Sequence, residues 1–257
     1  MNGVTRVKIC GMRTPEDVLV AAEAGADFVG LNFASSKRRI DAATGRALVD
    51  ALGSPLAAHE FEEVAPPSAE ARADLTAWFQ YGASVLDAYL AVKRPLTVGI
   101  FADQPIEEVN AIAAEAGVDL VQLSGDETWE DCLRVDRPVI QVVHVSPLDA
   151  PADALEFVQP GFALALMLDS AHGPYRGGSG VTFDWSVARE TAERVPMFLA
   201  GGLTPENVGD AVRTVRPWGV DVASGTETDG QKDPARVRAF IEAVRTADAA
   251  IAAEEDA

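Results

Sequence analysis

Two short stretches hold the residue types from which proton-transfer chemistry is built. In Arg6-Val7-Lys8-Ile9-Cys10-Gly11 an apolar run of strand type stops at a cysteine and a glycine, and the helix-start signal Thr14-Pro15-Glu16-Asp17 follows. In residues 164–169 a second apolar run closes on Asp169, and Gly173, Gly177, Gly178 and Gly180 come soon after. A thiolate can take a proton from carbon and a carboxyl can give one to oxygen, so these two residues form a base and an acid if both strand ends face one cavity. Many cysteines are inert buried filler, and Cys132, in a helical pattern, reads that way. An aspartate at a strand end is as often a loop or cap residue, so placement decides.

The elements that place them recur along the chain. Short runs rich in Val, Ile, Leu or Phe occur at 6–9, 28–33, 96–101, 120–123, 139–143, 163–168, 197–200 and 220–223. They lack polar alternation, as strands buried on both faces do, and most are separated by segments with helix-start signals such as Thr204-Pro205-Glu206-Asn207. Eight strands alternating with helices predict one α/β domain, a single (β/α)8 TIM barrel over residues 1–245, with a doubly wound sheet as the alternative. In such a barrel, the C-terminal strand ends carry the chemistry, which directs Cys10 and Asp169 to one mouth. Glycine loops follow the seventh and eighth strands, "FLAGGLTPENV" and "GVDVASGTETDGQKD". Loops at those two places commonly form a phosphate site.

Residues 54–93 break the rhythm and read as a helical insertion between the second helix and third strand. Ser68 is a cap there, and Leu75, Trp78, Phe79, Leu86, Tyr89 and Leu90 share one helical face. Gly82 weakens the middle of that helix by roughly 1 kcal/mol. The connection belongs to the barrel's stability face, away from the chemistry. Residues 246–257, "TADAAIAAEEDA", read as an acidic, Ala-rich tail.

A formal charge of −19 argues against nucleic acid and anionic membranes as partners, yet a local nest of amides with one arginine still accommodates a small phosphorylated ligand. Two cysteines make no disulfide framework and no metal cluster, and the N-terminus lacks the layout of an export signal. A cytoplasmic enzyme with neither metal nor cofactor is expected, as a monomer or a homodimer.

Six ordered stretches, "VKICGMRTPEDVLVAAEAGADFVGLNF", "TVGIFADQPIEEV", "DLVQLSGDE", "MLDSAHGPYRGGSGVTFDW", "LAGGLTPENV" and "GVDVASGTETDGQKD", resemble phosphoribosylanthranilate isomerases of tryptophan biosynthesis. The resemblance implies a (β/α)8 barrel and an Amadori rearrangement of N-(5′-phosphoribosyl)anthranilate to 1-(2-carboxyphenylamino)-1-deoxyribulose 5-phosphate. It implies Cys10 as the general base at C2′ and Asp169 as the general acid that opens the furanose ring. Arg38 would hold the anthranilate carboxylate, with Arg39 as the neighbour that could be confused with it. Gly178, Gly202, Ser224 and Gly225 would hold the phosphate, and Gln122 and Gly201 join the substrate-binding set. Where the family reads "QLHG", this chain has Ser124, so a hydroxyl replaces a histidine. Two alternatives stay open: an isomerase that also accepts the aminoimidazole-carboxamide ribotide of histidine synthesis, which Cys10 disfavours, and a non-catalytic phospholigand-binding protein.

Overall fold

The computed structural model describes residues 4–145, 154–170 and 185–255, so Gly178 and the glycine-rich stretch around it lie outside the described residues. Eight strands, β1 (Arg6–Cys10), β2 (Phe28–Asn32), β3 (Leu96–Phe101), β4 (Leu120–Leu123), β5 (Val139–Val145), β6 (Ala165–Ser170), β7 (Met197–Leu199) and β8 (Gly219–Val222), pair in sequence order. All pairings are parallel, and β8 closes on β1. The doubly wound alternative is thereby excluded. Alternation along each strand divides the apolar residues. Phe28, Leu96, Val98, Leu120, Ile140, Val142, Ala165, Met167 and Phe198 fill the barrel, while Val7, Ile9, Val29, Leu31, Val121, Leu123, Leu166 and Leu168 face the helices.

The helices are α1 (Pro15–Ala24), α2 (Ala42–Ala51), α3 (Ala69–Arg72), α4 (Leu75–Val92), α5 (Ile106–Ala116), α6 (Trp185–Arg194), α7 (Val208–Val215) and α8 (Pro234–Glu255). At α1 the sequence signal works as a capping box. Thr14 Oγ1 accepts from the Asp17 amide at 3.2 Å, Asp17 accepts from the Thr14 amide at 3.1 Å, and Pro15 fills a position that needs no donor. The second start signal is displaced. Thr204 to Asn207 form a turn, in which Asn207 Oδ1 accepts from the Thr204 amide at 2.8 Å, and α7 begins only at Val208. Between β4 and β5 the expected helix is a 3₁₀ turn, Glu130–Arg134, carrying Cys132. The stretch set apart as a tail after Arg245 is helical as far as Glu255, with Ala247 buried and Asp248 accepting from Thr5 Oγ1 at 2.6 Å. No helix among the described residues is long and apolar enough to cross a membrane.

The 54–93 segment holds two helices rather than one: Ser68 caps the single turn of α3, and Asp74 caps α4. α4 lies across the N-terminal end of the barrel. Leu86 and Leu90 join the interior cluster with Phe28, Leu96 and Phe198, Trp78 Nε1 donates to the Ala163 carbonyl at 2.7 Å, and Asp87 pairs with Arg6. Asp119 fastens both ends of the excursion, accepting from the Leu56 amide at 2.8 Å and from Lys93 Nζ at 2.5 Å. The helix can come this close only because of Gly82, where an added Cβ would stand 1.9 Å from the Leu164 carbonyl oxygen. Helix propensity alone would have Gly82→Ala stabilise the protein by roughly 1 kcal/mol. The packing reverses the sign: we expect a loss of about 1–3 kcal/mol in a denaturant melt, with kcat/KM of the folded fraction unchanged.

Candidate active site

Cys10 is the last residue of β1 and shares its inward face with Lys8, two residues earlier. Its register partner on β2 is Gly30, where an added Cβ would approach the Cys10 sulfur to 2.9 Å, so only glycine leaves room for the thiol. One layer beneath, Lys8 is wholly buried and its Nζ donates to Asp221 Oδ1 at 2.8 Å, from the residue directly beside it on β8. Burial pushes the Cys10 thiol up, against a downward pull from Lys8 and smaller ones from Lys232 and Arg38. Burial also works against the Lys8 ammonium, yet Asp221 and the Cys10 sulfur outweigh it and hold that group above the usual lysine value.

Arg38 lies over this floor. Its side chain passes so near Gly11 that a Cβ there would stand 2.6 Å from Arg38 Cδ. Glu227 accepts from Arg38 Nε at 2.5 Å and from Nη2 at 2.9 Å, a two-point grip that leaves Nη1 for another anion. Burial raises the Glu227 carboxyl, but the Arg38 hydrogen bond and the Lys232 and Arg38 charges more than offset it and hold it below the usual range. Arg38 is buried and Arg39 exposed, which separates the two arginines that the sequence left adjacent. Lys232, its side chain 3% exposed, donates to the Ala223 carbonyl at 2.7 Å and to Thr226 Oγ1 at 3.0 Å, and burial lowers its pKa.

Asp169 stands near the end of β6, three strands from Cys10 round the barrel by way of β7 and β8. It follows Ala165 and Met167 on the inward face. Its register partner is His144 of β5, whose Nε2 lies 2.9 Å from the Ser124 carbonyl. Gln122, inward on β4, donates from Nε2 to Ser124 Oγ at 2.9 Å. Cys132 is elsewhere: buried outside the barrel against Gln141, its thiol is pushed up to about 12 by burial.

The glycine loops after β7 and β8 meet. Gly201 and Gly202 have φ of 92° and 65°, left-handed backbone that favours glycine, and a Cβ on Gly225 would stand 2.0 Å from the Leu203 carbonyl oxygen. Ser224 and Gly225 lie in the short 3₁₀ turn that leaves β8. Of the residues expected at one site, Cys10, Arg38, Gln122, Asp169, Gly201, Gly202, Ser224 and Gly225 are all at the C-terminal strand ends or in the loops leaving them. Lys8, Gly30, His144, Asp221, Glu227 and Lys232 are additions. Period-two spacing could have found Lys8, since a residue two before an inward Cys10 also faces inward. Nothing local marks the others.

The chain is similar to known proteins over nearly its whole length. Residues 75–243 match the family model described as N-(5′-phosphoribosyl)anthranilate (PRA) isomerase. The N-(5′-phosphoribosyl)anthranilate isomerase of Dehalococcoides mccartyi is 37% identical over 95% of this chain and 97% of its own. The crystal structure of phosphoribosyl anthranilate isomerase from Thermotoga maritima superposes with a TM-score of 0.69 at 31% identity, covering 94% of this chain and 99% of that one. A further structure, 28% identical over 94% of this chain and 99% of its own with a TM-score of 0.65, is of such an isomerase in complex with reduced 1-(o-carboxyphenylamino)-1-deoxyribulose 5-phosphate.

The electrostatics of the floor predict how the thiol titrates. Burial raises the pKa of Cys10, so the reactive thiolate gains population only as pH climbs past the range of an unperturbed thiol. In a Cys132→Ala background, the rate of alkylation by iodoacetamide should therefore keep rising into the alkaline range. Lys8→Met should move that limb to still higher pH. A limb below that of a free thiol would contradict the balance of forces described above.

Proposed function

The chain belongs to the N-(5′-phosphoribosyl)anthranilate isomerase family, and on that premise we propose how its own residues carry the reaction. It is an isomerase that rearranges N-(5′-phosphoribosyl)anthranilate to 1-(2-carboxyphenylamino)-1-deoxyribulose 5-phosphate, a step of tryptophan biosynthesis. The observation that carries the assignment of roles is the facing placement of Cys10 and Asp169, inward at the C-terminal ends of β1 and β6, in one barrel mouth.

Protonated Asp169 gives its proton to the ring oxygen as the C1′–O bond breaks, and the nitrogen lone pair forms the C1′=N bond of an iminium ion. The Cys10 thiolate then takes the C2′ proton, the C–H pair becomes the C1′=C2′ double bond, and the C=N pair returns to nitrogen. The enolamine so formed ketonises by losing its C2′ hydroxyl proton and gaining a proton at C1′. Arg38 holds the anthranilate carboxylate through Nη1, its other two nitrogens each donating to Glu227. The phosphate lies on the loop amides around Gly202, Ser224 and Gly225, with Gly201 shaping the turn and Gly178 contributing from the β6 loop. Gln122 meets the substrate from the inward face of β4. The bound ligand is a small phosphorylated molecule, held without nucleic acid or membrane.

The fall in phosphoribosylanthranilate fluorescence on adding the protein tests the whole reading. Cys10→Ala should lower kcat by about 10²–10⁴-fold while product affinity holds, and Asp169→Asn should reduce kcat far more than it changes KM. An Asp169→Asn enzyme whose KM alone rises would make that residue a binding group. Arg38→Ala should raise KM, on the order of tenfold or more, and Arg39→Ala should leave it nearly unchanged.

A further inference from the structure

Among the inward polar side chains of the mouth, His144 has no task in the reaction just described. Three residues there, Asn32 on β2, Gln122 on β4 and His144 on β5, each carry a buried side-chain atom without a hydrogen-bond partner among the described residues: Oδ1, Oε1 and Nδ1. All three continue the inward alternation of their strands, after Gly30, Leu120 and Val142 respectively. The hydrogen bonds already made fix the character of two of these atoms. Ser124's carbonyl oxygen can only accept, so His144 Nε2 carries the hydrogen, and in the neutral ring Nδ1 is a bare acceptor. Gln122 spends a donor on Ser124 Oγ and turns its carbonyl oxygen the other way. Acceptors buried without donors are unfavourable unless a ligand completes them.

A furanose ring offers the complement, because its hydroxyls are donors of the right size and the phosphate and carboxylate have anchors elsewhere. We propose that His144 Nδ1 accepts a hydrogen bond from a sugar hydroxyl of the bound phosphosugar, beside Asp169, and so positions the ring for the acid. His144 stands in register with Asp169 on the neighbouring parallel strand, so a hydroxyl held there lies next to the atom that Asp169 protonates. Ser124 and His144 then act as one unit. The Ser124 backbone fixes the tautomer, and the imidazole arriving from β5 supplies the ring contact that the short serine side chain of "QLSG" does not reach.

The proposal rests on the isomerase reading, and isosteric replacements test it separately. Asparagine keeps a polar atom where histidine has Nδ1, and glutamine keeps one where it has Nε2. The probe is reduced 1-(o-carboxyphenylamino)-1-deoxyribulose 5-phosphate, together with versions lacking one ribose-derived hydroxyl each, titrated calorimetrically. We expect His144→Gln to bind it on the order of tenfold more weakly and His144→Asn to stay within about threefold of wild type. One deoxygenated analogue should lose the same factor against wild type and nothing further against His144→Gln, the signature of a shared contact. Glutamine matching wild type while asparagine fails would show that only the Ser124 contact matters, and the proposal would fall. It would also fall if no single hydroxyl couples to the substitution, a result expected of a histidine that merely packs or serves Asp169. A wild-type protein that neither binds the probe nor consumes phosphoribosylanthranilate would overturn the functional reading itself.

Discussion

The ion pair between Lys8 and Asp221 is the interaction on which the geometry of this molecule turns. It joins β1 to β8, the first and last strands, at the seam where the parallel sheet closes on itself. Removing two charges from water is costly, and a buried pair rarely repays that cost relative to well-packed apolar residues, so stability alone is a poor account of it. Position explains it better. Lys8 stands directly below Cys10 on the same face of β1, so the pair sets both the closure register and the charge that the thiol feels. A register slip of one residue would turn Lys8 and Cys10 outward together.

The two ends of the barrel divide the work. At the N-terminal end, α4 covers the interior with Leu86 and Leu90, while Asp119 gathers amides and an ammonium around a buried carboxylate. Both oxygens of the Asp119 carboxylate are satisfied by the chain itself. At the C-terminal end, by contrast, Asn32, Gln122 and His144 keep acceptors without hydrogen-bond partners among the described residues, and the grip of Glu227 on Arg38 leaves one guanidinium nitrogen outside it. Unsatisfied groups at one end are tolerable because the rest of the core is dense and its strands are locked in a closed ladder.

Much of this was legible from the chain. Runs of branched and aromatic residues located the eight strands closely, because strands buried on both faces cannot hide their apolar content. The exceptions are physical. The strands β5 and β6 run two residues beyond their apolar runs, to Val145 and Ser170, since the parallel ladder continues with His144 beside Asp169 and Val145 beside Ser170 and so carries polar residues that propensity would leave in loops. Gly82 reads as a weak point in a helix but is a contact surface, a fact that belongs to Leu164, far away in sequence. Cys10, Asp169 and the glycine loops were readable from their positions at strand ends. Glu227 and His144 were not, because their meaning lies in partners, Arg38 and Ser124, that only the closed barrel brings near.

The charge of the molecule and the charge immediately around Cys10 have opposite signs, and the lysines show how. A chain at −19 repels an anionic substrate at long range, so attraction must be local and desolvated. Of the four lysines, Lys8, Lys93 and Lys232 have side chains that are 0%, 5% and 3% exposed, which leaves Lys37 as the only one at the surface. Two of these three serve the mouth. Around Cys10, with Arg38, they set three positive groups against the carboxylates of Asp221 and Glu227, one positive charge in excess there before a thiolate forms or a ligand enters, with Asp169 three strands away as the mouth's further carboxyl. In water such an excess would be screened within about 8 Å at physiological ionic strength; under buried strand ends it acts at nearly full strength. The same small surplus offsets part of the burial that raises the Cys10 pKa and receives an anion when one arrives. Its two uses compete, so the charge state of the thiol and the affinity for the anion are linked.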